Sequence, residues 1–233
     1  MAPCSTPTLD LLVKLLGTYD GRDKLLRTSY YALLLITGRM KQGPLVNKLM
    51  TLARQLSAAR TAGRRWNDAV MVKVNLAHFQ AGLPEKDRLN YVLNAIVNVI
   101  YLFYHPVEHV AWLSSFELLP VDSGAWWTYT TWLWTIALVF SIIRTLRNYV
   151  HLAKARYREL AARGDQSSSE EAALKRQQIE EVWTLLMYVS DFAVAVHYLP
   201  KGWLWAQTLP QWKVGAFGLM ASVIGLVKLL QRL

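Results

Sequence analysis

His105, Glu108 and His109 stand in the order H-x-x-E-H, a spacing by which one helix face can hold a metal between two imidazoles with a carboxylate beside the bound water. Pro106 lies between the two ligands, where its ring clashes with a carbonyl one turn back unless the helix begins there. No third ligand follows at a fixed spacing. The metallopeptidase reading therefore stands beside a plainer one, a kinked helix with interfacial histidines, and the proline favours the plainer. G-x-S-x-G, G-x-x-x-x-G-K-[ST] and G-x-G-x-x-G do not occur, so hydrolase, P-loop and dinucleotide chemistry have no anchor. His78, His151 and His197 stand alone, as packed or interfacial side chains. The expectation is a chain that is not an enzyme, with no catalytic residue, no metal and no cofactor.

Two further groups of polar residues invite a different chemistry. Asn90, Asn94 and Asn98 recur every four positions in the uncharged stretch Leu89 to Val107, so they share a helix face that requires protein or water. Asp191 interrupts the apolar stretch Val182 to Leu199, and an ionised carboxylate facing lipid there would be costly. Together they could line a wet path between helices, which suggests a channel or metabolite pore.

The segment from 45 to 65 suggests a third. Leu45, Leu49, Leu52, Ala53 and Leu56 follow the i, i+4, i+7, i+8, i+11 pattern of one face, with Lys48, Arg54, Arg60, Arg64 and Arg65 around and beyond it. Such a helix can lie in a membrane interface as a wedge, its leucines among acyl chains and its cations among anionic headgroups. The same stripe could instead pack on the helix of residues 20 to 37. No nucleic-acid module accompanies the basic residues, so anionic lipid is the expected counterpart rather than nucleic acid.

The elements that must position these groups are helices in a membrane. Of the 233 residues 53% are hydrophobic and only 18% charged, yet the formal charge is +10, and all ten Trp except Trp66 follow residue 111. A soluble domain carries about 25% charged residues. The lone Cys4 excludes an internal disulfide, and charges in the first turns argue against a cleavable secretory signal.

No Lys or Arg lies between Arg88 and Arg144. The strongest span is Ala125 to Ile143, uncharged and about 28 Å long as a helix. Trp212 to Leu230 is a second, with Gly218, Ala221, Ser222 and Gly225 at helix-packing spacing; that face suits close approach of another helix, including self-association. Leu89 to Val107 and Val182 to Leu199 either span as well or lie against the membrane. Four spans place the basic N-terminal region, the basic 144 to 181 loop and the C-terminus on one side, the cytosolic side by the positive-inside rule. Two spans keep both termini cytosolic and put that loop across the membrane.

The expected organisation is all-α: a cytosolic amphipathic helical region over 1–88, apolar helices over 89–143, a basic polar helical loop over 144–181, and C-terminal membrane helices over 182–233. Gly17 and Gly38 are expected to stop the first two helices, Asp20 to cap the second and Pro44 to open the third. Residues 164–169 read as a polar linker.

Longer blocks carry a family resemblance. DGRDKLLR from Asp20 to Arg27, followed by Tyr30, resembles the N-terminal signature of the peroxisomal membrane protein eleven family (peroxin eleven). HPVEHVAW (105–112), VDSGAWWTYTTWLW (121–134) and DFAVAVHYLPKGWLWA (191–206) resemble its gamma type. The likeness runs through essentially the whole chain and is weakest over 164–176. It implies a multi-pass peroxisomal membrane protein with both termini cytosolic that promotes membrane protrusion and elongation before fission. It also implies homo-oligomers, hetero-oligomers with sister family members, and contact with the fission adaptor and dynamin-related GTPase machinery. The family's membrane-remodelling amphipathic helix falls near Lys48 to Trp66, and the family description usually counts two spans.

Overall fold

A computed structural model describes residues 7–66, 68–84, 87–163 and 169–232; within them lie eight α-helices and no strand. The helices are α1 (Pro7–Gly17), α2 (Tyr19–Thr37), α3 (Pro44–Gly63), α4 (Asp68–Gln80), α5 (Arg88–Ser114), α6 (Ser123–Arg163), α7 (Ser169–His197) and α8 (Gln211–Leu230), with a 3-10 turn, Arg64–Trp66, after α3. The linker expected at 164–169 lies, except for Ser169, outside the described residues. The all-α expectation holds, and Gly17, Gly38 and Pro44 punctuate the chain as read.

Two local features differ from the sequence reading, and a third, the course of α5, agrees with the helix read there. Thr18 rather than Asp20 caps α2, its hydroxyl accepting from the Gly21 amide at 3.0 Å; the Thr oxygen reaches a first-turn amide that a side chain two residues inside the helix cannot. α5 runs on through Pro106. The proline removes one donor, and its neighbours keep the remaining ladder. Finally, the changes of charge at 143/144 and 181/182 fall inside α6 and α7, because nothing in the local sequence breaks either helix there.

The helices form an array. α5 packs on α6, α6 on α7, α7 on α8, α8 on α2 and α2 on α3, while α1 lies against α2 and α4 against α5. The α2–α8 seam is the closest. A Cβ on Gly38 would stand 2.5 Å from the Trp212 amide nitrogen, one on Gly215 2.3 Å from the Leu35 nitrogen, and one on Gly218 2.2 Å from the Tyr31 ring. The two helices therefore run antiparallel with their backbones nearly touching, as small residues permit. The Gly218, Ala221, Ser222, Gly225 face is thus taken up within the chain, because α2 occupies the space a second copy would need.

This order sorts the connections to two ends. α8 ends where α2 begins, with Lys24 lying over Gly225. At the same end α6 and α7 continue as a hairpin held by Arg156 donating to Glu171 at 2.6 Å and Asn148 to Glu181 at 3.4 Å. The opposite end carries the connections 38–43, 115–122 and 198–210, with the rings of Trp132 and Trp203 in edge contact.

Gly218→Leu is expected to lower stability by about 1–3 kcal/mol, the cost of overpacking against the Tyr31 ring. Gly225→Ala, whose new methyl would meet only the flexible end of Lys24, is expected to leave the melting temperature of the detergent-solubilised protein within a few degrees of the parent.

Candidate membrane interface

The distribution of side chains is turned inside out relative to a water-soluble bundle. On α6, Tyr129, Ile136, Ile143, Val150 and Tyr157 recur every seven residues and are all exposed, while Thr130, Thr135, Ser141 and Thr145 are buried. Three of those buried hydroxyls donate back to their own helix: Thr130 to the Trp127 carbonyl at 2.7 Å, Thr135 to Thr131 at 2.7 Å and Ser141 to Ala137 at 2.8 Å. Ser190 on α7 and Ser222 on α8 do the same at 2.6 Å. Among the described residues, exposed large hydrophobic side chains outnumber buried ones. An exposed apolar surface on this scale marks an interface, and its uncharged part on α6, residues 125–143, about 28 Å long, suits hydrocarbon.

Among the described residues two helices are long and apolar enough to cross a membrane: α6, over Ser123–Ala161, and α8, over Gln211–Leu230. The other two stretches, in α5 and α7, hold their polar groups inward. Asp191 is paired with Arg27 of α2, each side chain about one-tenth exposed. Asn94 accepts from Arg144 of α6, and the Asn98 carbonyl accepts from Asn75 of α4 at 3.2 Å. Asp191 and Asn94 are thus engaged in joining helices, as is the Asn98 carbonyl, whereas the Asn90 side-chain oxygen is buried without a hydrogen-bond partner among the described residues.

The H-x-x-E-H segment also proves structural in its contacts. Glu108 is 1% exposed. Its Oε1 accepts from Arg64 at 2.7 Å and from the Tyr104 hydroxyl at 3.0 Å, and its Oε2 pairs with Arg65 at 3.1 Å. A carboxylate so held is committed to neutralising two arginines. His105 and His109 lie 4.0 and 3.4 Å from Asp68. Burial holds the His105 imidazole below its ordinary value, so it is neutral at pH 7. Among the described residues no group of three or more His, Cys, Asp or Glu is arranged to hold a metal.

α3 presents two adjacent rows. Val46, Met50 and Ala53 turn inward, Val46 and Ala53 being buried and Met50 packing on Tyr31 and Leu34 of α2. The leucine row lies beside this seam: Leu45 and Leu52 are 57% and 49% exposed, Leu49 and Leu56 half-buried. Lys48 and Arg54 are exposed. Arg60 instead pairs with Asp23 at 3.0 Å, and Arg64 and Arg65 with Glu108. In this packing those three cations face carboxylates of α2 and α5. Sequence reasoning missed these pairs and Arg27–Asp191. The available signal was the isolation of Glu108 and Asp191 in otherwise uncharged stretches, where an ionised group requires a partner.

The description "Peroxisomal biogenesis factor 11 (PEX11)" belongs to a family whose profile matches residues 9–230. The chain is similar to "Peroxisomal membrane protein 11C" of Mus musculus, 33% identical over 226 residues that cover 93% of this chain and 92% of that protein. It is equally similar to the Homo sapiens protein of the same description, 33% identical over 230 residues, covering 94% and 93%. No solved structure matches.

Glu108→Gln leaves two arginines without a counter-charge in a buried site and is expected to cost about 3–5 kcal/mol. Arg176→Gln, at a pair with Glu180 whose members are 85% and 58% exposed, is expected to change nothing measurable. Thermal unfolding of both variants in detergent checks the contrast.

Proposed function

Because the chain belongs to the Peroxisomal biogenesis factor 11 family, we propose that it acts in the peroxisomal membrane by promoting protrusion and elongation before fission, with α3 as the element that works on the lipid. Its relatives are described as membrane proteins of the peroxisome, and the role is membrane-shaping rather than catalytic. The observation that carries this reading is the exposed row of α3. Leu45 and Leu52, flanked by Lys48 and Arg54, point away from the α2 seam while Val46, Met50 and Ala53 hold the helix in place.

A helix so placed adds area to one leaflet, which favours curvature. Leu49 and Leu56, half-buried, complete the proposed wedge at its base, whereas Ala53, expected in the wedge from its spacing, is fully buried against the bundle and is left out of it. Of the five cations read as headgroup ligands, Lys48 and Arg54 suit direct contact, and Arg60, Arg64 and Arg65 would reach phosphate only by leaving Asp23 and Glu108.

The proposed topology is multi-pass with both termini cytosolic. Three features support it: the shared end of α1–α2, the α8 terminus and the 144–181 hairpin, the basic character of that end, and the position of α7 between the two candidate spans. The division at 88, 143 and 181 is retained as a division by environment along continuous helices. Partners on this reading are anionic lipid, further copies and sister family members through surfaces other than the α8 small-residue face, and the fission adaptor with its dynamin-related GTPase.

Leu45→Glu with Leu52→Glu in the full chain is expected to abolish tubulation of anionic vesicles after reconstitution while leaving helix content unchanged. Tubulation equal to the parent's would remove α3 as the wedge. A protease-cleavable tag inserted at Gly164 is expected to be cut from outside intact organelles, as is an N-terminal tag; protection of the Gly164 tag would place the hairpin across the membrane.

A further inference from the structure

A cleft of about 710 Å³ opens between α2, α6, α7 and α8 at the end of the bundle that holds the α8 terminus. Four cations line it, Lys24, Arg144, Lys228 and Arg232, against the two carboxylates Glu180 and Glu181. The carboxylates are partly occupied elsewhere: Glu181 accepts from Asn148 at 3.4 Å and Glu180 lies 3.8 Å from Arg176. Lys228 donates to the Thr184 hydroxyl, and Arg144 to Asn94. These are neutral partners, so both charges remain uncompensated. Lys24 is the most telling. It lies over Gly225, mostly out of water, and its ammonium makes no hydrogen bond or ion pair among the described residues. Burial, and after it the neighbouring Arg27, push its pKa below the ordinary lysine value.

Arg144 ends the uncharged run of α6 and Lys228 ends that of α8, so a cation facing this cleft closes each uncharged run. Met187, Tyr188 and Leu229 supply an apolar wall beside the charges.

We propose that this cleft binds the phosphorylated headgroup of a membrane lipid, with Lys24, Arg144 and Lys228 on the phosphate and the apolar wall against the glycerol and first acyl carbons. The proposal rests on the reading of α6 and α8 as spans with this end at the membrane surface, and is separate from the action of α3. Asp191 and Asp23 attract Lys24 without forming an ion pair with it, so an anion here supplies the direct partner its ammonium lacks, and the small residue Gly225 leaves room for the Lys24 side chain to reach the cleft.

The test uses the full chain in a neutral detergent, titrated calorimetrically with water-soluble dioctanoyl phosphatidylinositol 4-phosphate. Saturable binding is expected, weakened roughly tenfold or more by Lys24→Gln with Lys228→Gln, as loss of charged hydrogen bonds implies. Lys41→Gln, an exposed lysine at the far end, is expected to leave affinity unchanged. Dioctanoyl phosphatidylcholine should bind far more weakly, and inorganic phosphate should compete only at much higher concentration. Equal affinity for phosphate would overturn the lipid assignment, and equal affinity in the double variant would overturn the site.

Should the double variant fail to fold, acylation of Lys24 in the parent chain decides. The phosphoinositide is expected to slow it while leaving Lys41 unaffected, and unaltered Lys24 labelling at saturating lipid would refute the proposal. Neither measurement involves membrane tubulation, so failure here leaves the α3 wedge standing, and the reverse holds.

Discussion

An apolar surround on the outside of the bundle leaves polar groups no partner but one another, and most of this structure follows from that constraint. Backbone donors and acceptors must be used within each segment, which selects helices. Hydroxyls turn inward and bond to their own carbonyls, as at Thr135, Ser141, Ser190 and Ser222. Charges that cannot be turned outward are joined across helices: Arg27 with Asp191 links α2 to α7, Arg60 with Asp23 links α3 to α2, and Glu108 draws both arginines after α3 onto α5. In water these contacts would be weakly favourable at best. In a low-dielectric interior, the penalty for breaking one fixes which helix faces which.

The hydrophobic effect has correspondingly little to hold helices together where lipid takes the place of water, and close packing of small residues becomes the alternative. α8 meets this need with Gly215, Gly218, Ala221, Ser222 and Gly225, all buried or nearly so. Tyr31 lies on the flat surface that Gly218 leaves, and Arg27 stands 5.5 Å from the Tyr31 ring centre while pairing with Asp191. Seam and ion pair therefore share one helix. A shift of α2 along α8 would disturb both together, so the register of the array is specified by two independent kinds of contact.

How much of this was readable depended on the range of the interaction. Helix limits set by local chemistry, such as Gly38 and Pro44, were legible because the residue itself stops or starts the helix. The spacing of Gly218 with Ser222 announced a packing face, although it could not say that the partner was α2 in the same chain. The pairs of Arg60, Arg64 and Arg65 were not legible: their carboxylates lie 37, 44 and 43 residues away in the sequence, and a basic end on an amphipathic helix looks the same whether lipid or protein neutralises it. The continuity of α6 past Arg144 was missed for a related reason. A change from apolar to basic side chains alters the solvent along a helix without altering its backbone.

The position of α3 bears on how the proposed membrane wedge can act while belonging to a bundle. Undocking it would expose Val46, Met50 and Ala53 and strip Asp23 and Glu108 of their counter-charges, at about 3–5 kcal/mol for each buried pair broken. Burying the freed row in lipid returns about 25 cal/mol per Å² of apolar surface, and Ala53 and Met50 offer little of it. Lipid phosphates could replace Asp23 and Glu108 as partners of the arginines, but nothing in lipid replaces the arginines for the two carboxylates. The exposed leucines require no such exchange, since Leu45 and Leu52 already face outward beside Lys48. For the proposed wedge the balance therefore favours a helix that stays docked, with the buried ion pairs as the fixed side and the outward leucines as the face offered to lipid.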